Sequence, residues 1–214
     1  MVTMPITTPP NAVQTIPGCA FHVPGFLTPA VADALGAAIV TETCDRWKAQ
    51  LSYSKGWPAR VDKGHTMARF GAPGVTYTYK GKPKPMFPFT PALCQALVRV
   101  DLALGTAFNC VVINSYEPTS GLYPHRDGNY IPQLGNTPTI AALSFGCTRT
   151  FLLHPADPAT NKRVKGGAPI SVQLASGDLF VMYGNCDTHY HHSIPEEPSR
   201  VGTRVSLTFR RHNS

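Results

Sequence analysis

Two clusters carry most of the chemistry written in this chain. One is His125-Arg126-Asp127; the other is His192-Ser193-Ile194-Pro195, followed by the run Arg204-Val205-Ser206-Leu207-Thr208-Phe209-Arg210. Two imidazoles and one carboxylate form a set that grips Fe(II) and leaves positions open for a second substrate and dioxygen. Iron-dependent oxidation is the first chemistry these residue types suggest. In an extended segment, residues two apart point to the same side, so His125 and Asp127 can reach one ion together. The third ligand must come from far along the chain, where His189, His191 and His192 compete. A lone His-x-Asp is a weak signal, because a solvated pair at that spacing arises by chance in most chains of this size.

The C-terminal run strengthens it. Val205, Leu207 and Phe209 alternate with Arg204, Ser206, Thr208 and Arg210, the period-two pattern of a strand with chemically opposite faces. The plainer reading is a half-buried edge strand with its polar face in water. Asn114 and Tyr116, however, form a second polar pair on the apolar run Val111-Val112-Ile113. Two such strands predict an interior polar pocket. At roughly 3.3 Å per residue the Arg204 and Arg210 Cα atoms stand about 20 Å apart, a gap that long guanidinium side chains largely close. One arginine at each end suits a dianion, since the guanidinium fork pairs with carboxylate oxygens.

Positioning these residues requires a scaffold of strands. Strand patterns recur at 110–117, 139–146, 148–154, 169–174, 178–183 and 203–210, separated by Gly, Pro and Asn turns. Thr28-Pro29 and Thr90-Pro91 each place an N-cap residue before a proline at the first helical position. After Thr90, Leu93, Leu97, Val100 and Leu104 share one helical face. The expected fold is mainly β with flanking helices, a double-sheet jelly roll. A length of 214 residues suits one domain, expected over 19–214. Residues 1–18, where Thr7-Thr8 runs into Pro9-Pro10 without apolar periodicity, read as a loose lead-in.

Six segments together resemble the AlkB-type Fe(II)/2-oxoglutarate dioxygenases that remove alkyl groups from nucleic acid bases. They are Gly74-Val75-Thr76-Tyr77-Thr78-Tyr79, Asn114-Ser115-Tyr116, His125-Arg126-Asp127, Ala142-Leu143-Ser144-Phe145-Gly146, His192-Ser193-Ile194-Pro195 and Arg204 through Arg210, in the family's order over about two thirds of the chain. The resemblance implies a double-stranded β-helix (jelly roll), with His125, Asp127 and His192 as the iron ligands; only His192 matches the family's His-Ser-hydrophobic-Pro pattern. It implies that Arg204 with Tyr116 holds the distal carboxylate of 2-oxoglutarate and that Arg210 with Asn114 lies near the metal-chelating end. Ser206 and Thr208 join that cosubstrate set. Arg69, Tyr77, Tyr79, Arg126 and Asn129 are implied to face the substrate. Fe(II), 2-oxoglutarate and dioxygen are the implied cofactor and cosubstrates.

Charge placement bears on the substrate separately. Residues 1–45 carry three acids and nothing basic, whereas 46–84 carry nine Lys or Arg against the single acid Asp62, an excess larger than the whole chain's +7. Trp47, Tyr53, Trp57, Phe70, Tyr77 and Tyr79 are interleaved with them, the mixture that neutralises phosphates and stacks bases. The plainer reading is a solubilising surface over core aromatics. Beside the resemblance, about 46–84 reads as a nucleotide-recognition segment over the site. Six cysteines form no Cys-x-x-Cys pair, so reduced thiols are expected. No apolar run is long enough to span a bilayer, and no Lys or Arg precedes Arg46 to mark a targeting leader. A cytoplasmic protein without membrane or obligate protein partner is expected.

Oxidative dealkylation of DNA, or alternatively of RNA, is thus the implied activity, with succinate and an aldehyde as products. The rivals are a Zn(II) hydrolase using the same triad, which leaves the paired arginines without a purpose, and a binding module without turnover. One departure stands out. Family members commonly carry acidic residues just after the Asp ligand, whereas here Asp127 is followed by Gly128-Asn129. A flatter preference between cationic and neutral lesions is expected.

Overall fold

The computed structural model describes residues 6–49, 65–128, 131–135 and 137–213. Strands β1 (Val13–Ile16) and β2 (Ala20–Val23), helix α1 (Pro29–Thr43), β3 (Lys48–Ala49) and β4 (Thr66–Gly71) come first. Three two-residue strands, β5 (Thr78–Tyr79), β6 (Lys82–Pro83) and β7 (Phe87–Pro88), lead into α2 (Pro91–Leu104). The remainder is β8 (Cys110–Tyr116), β9 (Leu122–His125), β10 (Ile140–Gly146), β11 (Arg149–Pro155), β12 (Ile170–Leu174), β13 (Leu179–Met182), the one-turn helix α3 (Cys186–His189), β14 (Tyr190–Ile194) and β15 (Arg204–Arg210).

The major sheet runs β1-β2-β13-β10-β15-β8-β4-β3, with β7 also paired to β4; the minor sheet runs β12-β11-β14-β9. From β8 onward the chain crosses repeatedly between the sheets, which makes this a double-stranded β-helix. Strand β15 lies at the centre of the major sheet, in unbroken antiparallel register with β10 and β8; Arg204 faces Tyr116 and Arg210 faces Cys110 across the β8 ladder.

The alternation in β15 separates two environments. Val205, Leu207 and Phe209 join the core beneath the helices, with Leu35 and Ile39 of α1 and Leu93, Val100 and Leu104 of α2. Each fully buried Leu or Phe there contributes roughly 1.5–3 kcal/mol. The opposite face looks toward the minor sheet, where Tyr116, Ile140, Phe151, Leu153, Phe180 and Ile194 form a second core. Polar Arg204, Ser206, Thr208 and Arg210 meet there inside a cavity rather than solvent.

Helix α2 begins as its sequence expects: the Thr90 hydroxyl accepts from the Leu93 N–H, and Glu42 of α1 accepts from the Ala92 N–H. The carboxylate there also complements the helix dipole. Thr28 makes no such side-chain bond, so α1 starts on Pro29 alone. The lead-in expectation needs correction. Val13–Ile16 pairs with Ala20–His22 and extends the major sheet, while the Thr7 N–H donates to the Leu104 carbonyl. Pairing to an existing sheet edge supplies the order that its own composition does not.

Candidate active site

His125 is the last residue of β9, and His192 sits opposite it on β14. Asp127 lies two residues past the end of β9, so the loop, not strand alternation, brings its carboxylate round. The His125 Nε2 is 3.4 Å and the His192 Nε2 3.9 Å from the Asp127 Oδ1. All three ligand atoms lie within 4.8 Å of one another, close enough for one metal ion. The His125 Nδ1–H donates to the Tyr123 carbonyl at 2.8 Å, which orients the ring with Nε2 toward Asp127. His192 stacks on Phe151, with 5.8 Å between ring centroids and a 15° interplanar angle.

The electrostatics prepare His192 and Asp127 to ligate. Burial, with His125 adding, pushes the His192 imidazole down to about 3, so it is neutral at pH 7. Burial alone would raise Asp127, but Arg210 and the two histidines outweigh it and hold the carboxyl well below its usual range. Burial lowers His125, while its hydrogen bond to Asp127 and that carboxylate's charge lift it above the ordinary value. A neutral imidazole and an ionised carboxylate are the protonation states a metal requires.

The cavity holding the triad is lined also by Asn114, Tyr116, Arg204, Ser206, Thr208 and Arg210. Arg204 is 2% exposed; its Nη2 donates to the Ser144 and Ser206 hydroxyls, and its guanidinium lies 5.6 Å from the Tyr116 ring centroid. Arg210 and Asn114, expected together near the metal-chelating end, both line the cavity that holds the triad, without a hydrogen bond between them. Arg210 forks onto Asp127, its Nε 2.9 Å from Oδ2, and Asn114 instead faces Ser206 across the ladder. Arg204 Nε and Arg210 Nη1 are buried without partners. Unmet guanidinium donors at two places in one cavity fit a dicarboxylate, and the triad fits the metal beside it.

Of the expected substrate-facing residues, Arg69, Tyr77 and Tyr79 line this cavity. Arg126 does not; it is buried, and its Nη1 donates to the Thr188 carbonyl, tying the triad loop to α3. Asn129 lies outside the described residues, as do Tyr53 and Trp57 of the basic segment. The His191 Nε2–H donates to the Asn161 Oδ1, and His189 is exposed; neither lines the cavity.

Several participants carry no sequence signal. His65 lines the cavity and stacks on Tyr116 at 5.1 Å. Asp187 of α3 accepts the backbone N–H of Asp127 at 2.9 Å and of Gly128 at 2.8 Å, clamping the triad loop to the turn that precedes β14. Gly128 is needed for that approach, because a Cβ there would sit 2.8 Å from the Asp187 Oδ2.

Residues 20–210 match the family model described as the 2OG-Fe(II) oxygenase superfamily. The bovine protein named DNA oxidative demethylase ALKBH2 is 33% identical over 184 residues, 82% of this chain and 66% of that protein. The human ALKBH2 is 31% identical over 82% of this chain and 70% of its own length. The rat alpha-ketoglutarate-dependent dioxygenase alkB homolog 3 is 32% identical over 64% of this chain and 46% of its own length. The chain thus spans about two thirds of the bovine and human ALKBH2 proteins. The solved structure of OsALKBH1 superposes with a TM-score of 0.58 at 16% identity, covering 94% of this chain and 100% of that one, a likeness of fold.

Proposed function

The chain belongs to the 2OG-Fe(II) oxygenase superfamily, and from that premise we propose that it oxidatively removes alkyl groups from N-alkylated nucleic acid bases, acting in repair of alkylated DNA. The observation that carries this reading is one cavity holding both the His125, Asp127 and His192 cluster and the unmet donors of Arg204 and Arg210. A metal hydrolase has no use for the two arginines. Relatives named DNA oxidative demethylase support the substrate class.

His125, Asp127 and His192 would hold Fe(II). Once bound, Fe(II) with 2-oxoglutarate and dioxygen supplies the oxidation that hydroxylates the N-alkyl carbon, with succinate and carbon dioxide leaving and the alkyl group departing as an aldehyde. The chain's own residues do the positioning. Arg204, oriented by Ser144, Ser206 and Tyr116, offers its free Nε to one cosubstrate carboxylate, and Arg210 keeps Asp127 ionised while offering Nη1. Tyr77 and Tyr79 wall the end where a base would enter. A base in duplex has to be flipped from its stack to reach that depth.

The test is direct: load the protein anaerobically with Fe(II) and 2-oxoglutarate, admit oxygen, and follow succinate and formaldehyde with a panel of methylated oligonucleotides. Formaldehyde release stimulated by methylated but not unmodified oligonucleotide is expected. Its absence with every lesion sinks the proposal.

A further inference from the structure

Arg69 on β4 is 9% exposed and lines the cavity. A buried guanidinium is costly unless its donors and its charge are answered, and here they are not. Its Nε has no partner, and its Nη2 reaches only the Met67 sulfur at 3.1 Å, a weak acceptor. The guanidinium carbon lies 4.9 Å from the Tyr77 ring centroid, which places it at the aromatic end of the cavity, with Tyr77, Tyr79 and Ile131. Among the described lining residues the one carboxylate is Asp127, and Arg210 already engages it. Among the described residues, the substrate end therefore presents a cation without a carboxylate counter-charge and no free anion.

Such a site favours one class of base. In 3-methylthymine the methylated nitrogen is flanked by two carbonyls, and 1-methylguanine carries one; both are neutral. In 1-methyladenine an exocyclic amine and no carbonyl flanks the methylated nitrogen, in 3-methylcytosine an amine flanks one side and a carbonyl the other, and both bases are cations. Like charges repel in a partly dry cavity, and an amine cannot accept from a guanidinium, leaving a buried donor unmet. Resting on the dealkylase reading, we propose that Arg69 is a specificity-determining residue that donates to a base carbonyl and selects neutral N-methyl lesions over cationic ones, most strongly against 1-methyladenine, which offers no flanking carbonyl.

The experiment measures formaldehyde release by the Fe(II)-loaded full chain from four single-stranded oligonucleotides, each carrying one of these lesions in the same sequence. In parallel, the affinity of the redox-inert Zn(II)-loaded protein for the same four is measured. Wild type is expected to favour 3-methylthymine over 1-methyladenine in both readouts. Arg69→Gln, which keeps a donor but loses the charge, is expected to lower that ratio by roughly tenfold, while Arg69→Lys keeps most of it and the KM for 2-oxoglutarate stays unchanged in both. Turnover with an unmoved ratio overturns the role of Arg69 and leaves the dealkylase reading standing. A raised KM for 2-oxoglutarate in Arg69→Gln also overturns it, assigning the guanidinium to the cosubstrate. No formaldehyde from any lesion, with no lesion-dependent binding, overturns both.

Discussion

Asp187 shows how much of the site rests on a side chain that touches no reactant. Its carboxylate takes two backbone N–H groups from the loop carrying Asp127, and three residues after α3 the chain reaches His192. Groups that orient ligands typically tune metal affinity by about 10- to 100-fold. Asp187→Ala should therefore weaken Co(II) binding to the metal-free protein by roughly that factor, followed by the visible absorption of bound cobalt, with Asp187→Asn intermediate because it keeps one oxygen acceptor. Asp178 is the control, since it makes a similar clamp remote from the triad, on His22, Gly25 and Ala175. Asp178→Asn should lower the melting temperature and leave the cobalt titration unmoved. At the same scale, Arg204→Ala should raise the KM for 2-oxoglutarate without altering oligonucleotide affinity. Arg204→Lys should recover little, because an ammonium lacks the planar fork that Ser144, Ser206 and Tyr116 hold.

Among the elements, β11 is locked to the chain on either side of the site by Arg149, which is fully buried. Its guanidinium donates to the Glu117, Ser120 and Pro195 carbonyls and to Glu197 at 3.0 Å. Removing one partner of a buried pair typically costs about 3–5 kcal/mol, so Arg149→Met should lower stability by an amount of that order in urea denaturation. Burial would raise Glu197, but bonds from Thr150 and Arg149 outweigh it and depress the carboxyl. A depressed carboxyl stabilises above its unfolded pKa, about 4.3, and that stability is lost as pH falls through the lower folded value. The melting temperature should fall below about pH 4.3 more steeply in wild type than in Glu197→Gln. None of this network was visible in the sequence, where Arg149 is one basic residue on a strand edge pattern. The strands that were visible, β8, β10, β11, β12, β13 and β15, keep apolar runs or strict alternation. Of those missed, β9 (Leu-Tyr-Pro-His) and β14 (Tyr-His-His-Ser-Ile) carry the two histidines of the triad. Ligands occupy positions that apolar side chains would otherwise fill, so the site erases the pattern of the strands that bear it.

Over the whole molecule, charge on the proposed reading is divided between holding a nucleic acid and choosing a base. The three lysines that close the basic segment sit on and beside the β5–β6 hairpin, whose Lys80-Gly81 tip has positive φ at both residues, 51° and 71°. That is the turn whose twist matches a two-residue hairpin. It holds Lys80 over the Tyr79 ring at 5.6 Å, and Tyr79 lines the cavity. The lysines thus stand beside the aromatic wall, where phosphates would pass on the proposed reading. Their contribution should be long-range and indifferent to sequence, through counterion release. If each meets one phosphate, changing Lys80, Lys82 and Lys84 to glutamine should reduce the slope of log affinity against log salt by about two for a single strand. All four lesions should weaken by the same factor, and the lesion ratio set at Arg69 should not move. Fluorescence anisotropy across a salt series checks this. An unchanged slope would mean that the backbone is carried elsewhere, and a changed lesion ratio would mean that the hairpin reads the base as well as the phosphates.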